Sequence, residues 1–181
     1  MTRWKGEWYE WTKALLIAFL IAFLIRTFLF SPIIVDGPSM QPTLYDRDRM
    51  IVNKFIYHFK EPSRFDIVVF HASKQKDFIK RVIGLPGEHV AIKNDILYIN
   101  GEPIDEPYIH YHDDELIQSN FKLENIPGQY ETIPEGYILV LGDNRNNSTD
   151  SRRLGLISMD QIVGKANVIY WPFDRIKIVN E

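Results

Sequence analysis

Apolar positions fall into two regimes along this chain. Residues 14–25 are twelve apolar residues in succession, and after Arg26 and Thr27 the run resumes with Phe28, Leu29 and Phe30. A helix of twelve residues covers about 18 Å, short of the ~30 Å hydrocarbon layer of a bilayer. Residues 11–30 would span it, with Lys13 and Arg26 extending toward opposite interfaces. The second regime begins near Ser31. Short apolar or alternating runs recur at 49–52, 66–70, 78–83, 89–92, 96–99, 137–141 and 166–170. Turn residues separate them: Pro62-Ser63, Leu85-Pro86-Gly87, Asn94-Asp95, Asn100-Gly101 and Pro134-Glu135-Gly136. This spacing predicts a mainly antiparallel β structure. One short helix is expected over residues 157–162, with Ser158 as N-cap. Residues 102–130 are polar, tyrosine-bearing and weakly periodic, and read as part of a small inserted β region (about 91–134) outside the core sheet.

The first regime has competing explanations. A helix that is apolar all round is a core helix or a membrane span, not a surface helix. A cleaved leader needs small residues just before its cut, and Phe28-Leu29-Phe30-Ser31-Pro32-Ile33 offers none. An uncleaved anchor is therefore expected. Arg3, Lys5 and Lys13 precede the span, whereas residues 31–46 hold no Lys or Arg. That asymmetry predicts a cytoplasmic or interfacial segment 1–10, an anchor 11–30 and an extracytoplasmic domain 31–181 in the cell membrane. Trp4, Trp8 and Trp11 lie on one helical face, as interfacial tryptophans do.

The net charge of −3 gives no reason to expect a nucleic-acid partner, and cysteine is absent, which excludes a thiol nucleophile, a zinc–thiolate site and disulfides. Three segments carry candidate chemistry. In Asp36-Gly37-Pro38-Ser39-Met40-Gln41-Pro42, two prolines stiffen the chain around Ser39, as a presented nucleophile requires. A turn serine beside proline is the commoner meaning of such a loop. Lys80 sits in an apolar strand, sharing a face with Phe78 and Val82, while Arg81 points to the other. Ordinary lysine, with a pKa near ~10.4, is almost wholly charged at pH 7; burial can depress it toward the range a general base needs. An ordinary strand lysine instead extends to the sheet edge. The third segment, 141–153, packs Asp, Asn, Ser and Arg directly after a strand, which suits a buried hydrogen-bond network or a solvated loop. His110-Tyr111-His112-Asp113-Asp114-Glu115 holds metal-capable side chains without a supporting second cluster, so it reads as a solvated loop with no metal.

Taken together, Gly37-Pro38-Ser39-Met40-Gln41-Pro42-Thr43, Lys80-Arg81-Val82-Ile83-Gly84-Leu85-Pro86-Gly87 and Gly142-Asp143-Asn144-Arg145-Asn146-Asn147-Ser148-Thr149-Asp150-Ser151-Arg152 resemble the three signature boxes of bacterial type I signal peptidases, in the family's order and behind an N-terminal anchor. The similarity runs from about Trp11 to Phe173 and most resembles the small Gram-positive members. The resemblance implies a Ser–Lys dyad, with Ser39 as nucleophile and Lys80 as base. It implies that Ser148 orients the lysine and that Asp143, Arg145, Asp150 and Arg152 support the site. It implies a substrate groove lined by Ile33, Val35, Met40, Leu44 and Ile79 that takes small side chains at the −1 and −3 positions of exported preproteins, with no cofactor. Two positions depart from the family pattern. Gly37 stands where some members carry an oxyanion-hole serine, and Asn146 where an acidic residue is common. A self-cleaving repressor-type Ser–Lys peptidase is disfavoured because the chain has no Ala-Gly dipeptide, cysteine or DNA-binding domain. An inactive membrane-tethered binding module would have no need of Ser39, Lys80 and Ser148 together.

Overall fold

The structure is a computed structural model that describes residues 3–109 and 120–179. It opens with helix α1 (Arg3–Leu24), followed by a π-helical turn at Ile25–Leu29. The apolar window Trp8–Thr27 is long enough to cross a membrane, and none of it is buried against protein. The helix begins earlier and stops sooner than the expected 11–30. Pro32 disfavours a helical residue before it, and Phe30 is already extended.

Twelve strands follow among the described residues: β1 (Phe30–Ile34), β2 (Arg49–Asn53), β3 (Ile67–Ser73), β4 (Lys76–Gly84), β5 (Val90–Lys93), β6 (Ile96–Ile99), β7 (Glu102–Ile104), β8 (Phe121–Lys122), β9 (Tyr137–Leu141), β10 (Ile157–Ser158), β11 (Ile162–Trp171) and β12 (Lys177–Ile178). Each of the seven apolar runs lies in a strand, except that Asp66 and His89 fall one residue ahead of theirs. The larger sheet runs β1-β2-β11-β3-β4-β9-β10, with β12 beside β11. The smaller sheet runs β7-β6-β5-β8 and lies, in sequence, between β4 and β9. The pairings are antiparallel. β1 holds Pro32 and occupies the sheet edge, where a missing N–H is tolerated.

The helix expected at 157–162 is absent. Ile157 and Ser158 instead pair with β9, and only Met159–Gln161 makes one 3₁₀ turn. Ser158 still caps it, its Oγ accepting from Asp160 N, while Gln161 Oε1 accepts from Ser158 N at 3.1 Å. A second short helix, α2 (Ser151–Leu154), is capped by Asp150.

Three apolar clusters hold the fold. One joins Ile83, Leu139 and Leu141 of the large sheet to Val90, Ile92, Leu97 and Phe121 of the small one. Another gathers Val35, Met40, Leu44, Met50, Ile67, Ala166 and Ile169. The third lies under β3, β4 and β9 around Val68, Phe70, Val82 and Val140. The loop carrying Ser39 and the strand carrying Lys80 are both seated on these clusters.

Candidate active site

Ser39 lies in the loop after β1, and Lys80 lies in mid-β4. The fold brings them together: Lys80 Nζ donates to Ser39 Oγ at 2.8 Å and to its neighbour's carbonyl, Ile79 O, at 2.8 Å. Lys80 is only 3% exposed. Its ammonium stands 5.2 Å from the Phe78 ring. Burial lowers its pKa to about 8, against the opposing negative charges of Asp150 and Asp143.

The Ser39 loop is fixed from both sides. Gly37, at φ +87°, donates its N–H to Asp46 Oδ1 at 2.9 Å. Ser39 O accepts from Asn144 N at 3.1 Å, and Asn144 Nδ2 donates to Pro38 O at 3.3 Å. Gly142 passes so close that a Cβ there would lie 2.2 Å from Ser148 Oγ and 2.5 Å from Ser39 O. Glycine is required at that position by packing.

The residues of the 141–153 segment take separate places in one buried network. Asp143 receives Arg81 Nε at 2.9 Å and Nη2 at 2.6 Å, and Thr43 Oγ1 at 2.5 Å. Asp150 receives Gly142 N at 3.0 Å and both ends of the Arg152 guanidinium at 2.8 Å. Burial alone would raise the Asp150 pKa; the Arg152 hydrogen bonds and charge outweigh it and hold the pKa below the usual carboxylate value. Arg152 also donates to Arg145 O at 2.8 Å. Arg145 Nε donates to Gly142 O at 3.1 Å, and its guanidinium pairs with Glu106. Ser148 sits beside Asp150, and its hydroxyl helps hold that carboxyl's pKa low, although the buried Oγ closes no well-formed hydrogen bond among the described residues. The bond expected between Lys80 and Ser148 is therefore not made here; Ile79 O takes that place.

A groove of about 250 Å³ opens along the pair. It is bordered by Ile34, Val35 and Met40 on one side and by Phe78 and Ile79 on the other, with Asn147 and Thr149 at one rim. Of the expected lining residues, Val35, Met40 and Ile79 border it. Ile33 and Leu44 do not. Alternation along β1 turns Ile33 toward the apolar cluster and leaves Ile34 on the groove. Leu44 has no exposed surface and packs behind Met40 and Val35.

Arg81, Thr43, Glu106 and Tyr108 were not legible as parts of this site. Arg81 does point to the face opposite Lys80, but into a buried ion pair. Its signal was an arginine inside an apolar strand, which demands a buried carboxylate. The segment 110–115 lies outside the described residues.

Comparison with known proteins places this geometry. A family model described as signal peptidase, peptidase S26, matches residues 8–171. The chain belongs to the S26 signal peptidase family. It is 45% identical over 175 residues to signal peptidase I of Bacillus caldolyticus, covering 94% of this chain and 93% of that protein. It is 43% identical over 180 residues to signal peptidase IB of Staphylococcus aureus, covering 96% and 94%. A crystal structure of signal peptidase I from Enterococcus faecalis matches with a TM-score of 0.53 and 40% identity, covering 59% of this chain and 97% of that one. Family membership makes the chain a peptidase and thus a hydrolase. The family's relatives named here come from Gram-positive bacteria.

Proposed function

We propose that this chain is a membrane-bound serine endopeptidase that removes signal peptides from exported preproteins, using Ser39 and Lys80 as its dyad. The observation that carries this reading is the 2.8 Å contact between a buried Lys80 Nζ and Ser39 Oγ. Neutral Lys80 takes the Ser39 proton as Oγ attacks the scissile carbonyl. The Lys80 ammonium then returns that proton to the leaving amine, which releases the mature chain and leaves an acyl-enzyme. Lys80 next takes a proton from water as its oxygen attacks the acyl carbon, then returns that proton to Ser39 Oγ as the ester bond breaks, which frees the signal peptide and restores the dyad. Gly37 has no hydroxyl, and its N–H is committed to Asp46. The oxyanion therefore relies on other backbone N–H groups, chiefly that of Ser39.

The groove favours an extended substrate. Among the described residues, β1 pairs only with β2, and β4 pairs with β9 only at Arg81–Gly84. Both walls of the groove thus present free strand edges to which a peptide can add as a strand. Val35, Met40 and Ile79 leave room for small side chains at −1 and −3. Asp143, Arg145, Asp150, Arg152 and Ser148 support the dyad. Residues 11–30, which overlap the apolar Trp8–Thr27 window, are the single-pass anchor, residues 1–10 stay at or inside the cytoplasmic face, and residues 31–181, with the insertion at about 91–134, form the extracytoplasmic domain.

The test is cleavage of a preprotein by the purified full chain in detergent micelles. Wild type should cut once, at the signal-peptide junction. Ser39→Ala and Lys80→Ala should each lose at least about 10³-fold in kcat, with the double variant little worse than either. Substantial cleavage by Lys80→Ala would sink the dyad.

A further inference from the structure

Segment 105–109, directly after β7, sends two side chains into the support of the site. Glu106 and Arg145 form an ion pair with only 4% and 3% of their side chains exposed. Tyr108 donates its hydroxyl to Glu106 Oε1 at 2.5 Å. The Tyr108 ring lies 3.8 Å from the Arg81 guanidinium. Arg81 grips Asp143, and Arg145 grips the carbonyl of Gly142, the residue before it. A closed circuit results: Asp143, Arg81, Tyr108, Glu106, Arg145, Gly142. Glu106 and Tyr108 are its only members outside the three sequence boxes.

We propose that Glu106 and Tyr108 are positioning residues for the reaction, holding the Arg145 and Arg81 cations so that Gly142 and Asp143 stay in place against Ser39 and Lys80. This rests on the peptidase reading above. Gly142 abuts Ser39 O, so any drift of its carbonyl moves the nucleophile loop. Glu106 also neutralises the cation next to the site. Burial alone would lower the Arg145 pKa, but the Glu106 charge more than offsets it. Burial and the Glu106 charge raise the Tyr108 pKa, so its hydroxyl remains a donor.

Loss of the Glu106 charge has a directional consequence. The groups around Lys80 are Asp143 and Asp150, which favour its ammonium, Lys76 across the Phe78 ring, and Asp36 and Asp77 on the groove. Those around Arg145 are Glu106, Tyr108 and Asp143. An uncompensated Arg145 would draw on Asp143 and weaken its hold on the Lys80 ammonium. The Lys80 pKa would fall.

The experiment uses the full chain in micelles with two readouts: kcat and KM for a fluorogenic signal-peptide substrate from pH 6 to 10, and titration of Lys80 by lysine-selective 13Cε NMR. Glu106→Gln should lower kcat about tenfold or more with KM within about twofold, and move both pH midpoints acidward by about half a unit. Glu106→Asp should keep the wild-type midpoint. Tyr108→Phe should shift it in the same direction as Glu106→Gln, by less. An unchanged midpoint in Glu106→Gln, or an equal shift in Glu106→Asp, overturns the proposal. If Glu106→Gln does not fold, the contrast between Glu106→Asp and Tyr108→Phe decides: equal midpoints overturn it. A wild type that cuts no signal peptide while the NMR shift persists sinks the function reading and upholds the positioning role.

Discussion

A lysine kept ready as a base should weaken the fold that holds it, and the amount can be worked out. Lys80 has a pKa of about 8 in the fold and an ordinary 10.5 when unfolded. The folded value is depressed, so the unfolded chain binds more protons between these pH values and stability rises with pH across that window. A gap of about 2.5 units at 1.36 kcal/mol each makes the penalty about 3 kcal/mol at pH 7, largely relieved by pH 10.5. Lys80→Met keeps the volume and removes the charge. It also leaves Ile79 O and Ser39 Oγ without a partner, a loss of about 1 kcal/mol each. The variant should therefore be about 1 kcal/mol more stable than wild type at pH 7, and catalytically dead. The comparison is urea unfolding of both full chains in micelles, followed by near-UV circular dichroism at several pH values. Other titrating groups are common to both proteins and cancel. The variant's advantage should fall by about 3 kcal/mol from pH 7 to pH 10.5 and so reverse sign. A difference that stays constant would mean Lys80 is not held poised for deprotonation, and the base assignment would fall with it.

Two further outcomes follow from the same geometry. Lys80 acts when neutral, so kcat/KM should rise with a midpoint near pH 8 and level off above about pH 9; a plateau near pH 6 would indicate a histidine base instead. Gly142→Ala forces a methyl group to within 2.5 Å of Ser39 O and closer still to Ser148 Oγ, so kcat should drop about 100-fold with a stability loss of about 1–3 kcal/mol, and near-normal turnover would show that the loop tolerates movement.

How much of this was legible in the sequence depended on range. The N-terminal apolar helix is a matter of composition: twelve apolar residues in succession, lengthened by their neighbours, mark a segment long enough to cross a membrane. The strands follow from alternation, so each apolar run became a strand. Short pieces escaped. Residues 157–162 carried a helix-start signal at Ser158, but pairing of Ile157 with Ile138 of β9 outweighed it and left one turn. Ser39 and Lys80 were singled out because their segments, together with 142–152, resemble the family's three boxes; read alone, they fit an ordinary turn serine and strand lysine equally well. Their partners Arg81, Glu106 and Tyr108 were not singled out, because those contacts are long-range. Arg81 meets Asp143 62 positions away, and Arg145 meets Glu106 39 positions away. Glu106 sits in a polar stretch where nothing marks it as buried. Leu44 was misplaced for a related reason: near neighbours of the nucleophile can face the core as readily as the groove.

The paired buried charges also constrain how this chain can diverge. Arg81–Asp143 and Arg145–Glu106 are shielded from water, so changing one partner strands the other at a loss of about 3–5 kcal/mol. Exchanging both for well-packed apolar residues need lose nothing in stability. Any single-step mutational path between these two states therefore descends through an intermediate near the limit of foldability. Drift at these four positions should occur only as linked double substitutions, or not at all.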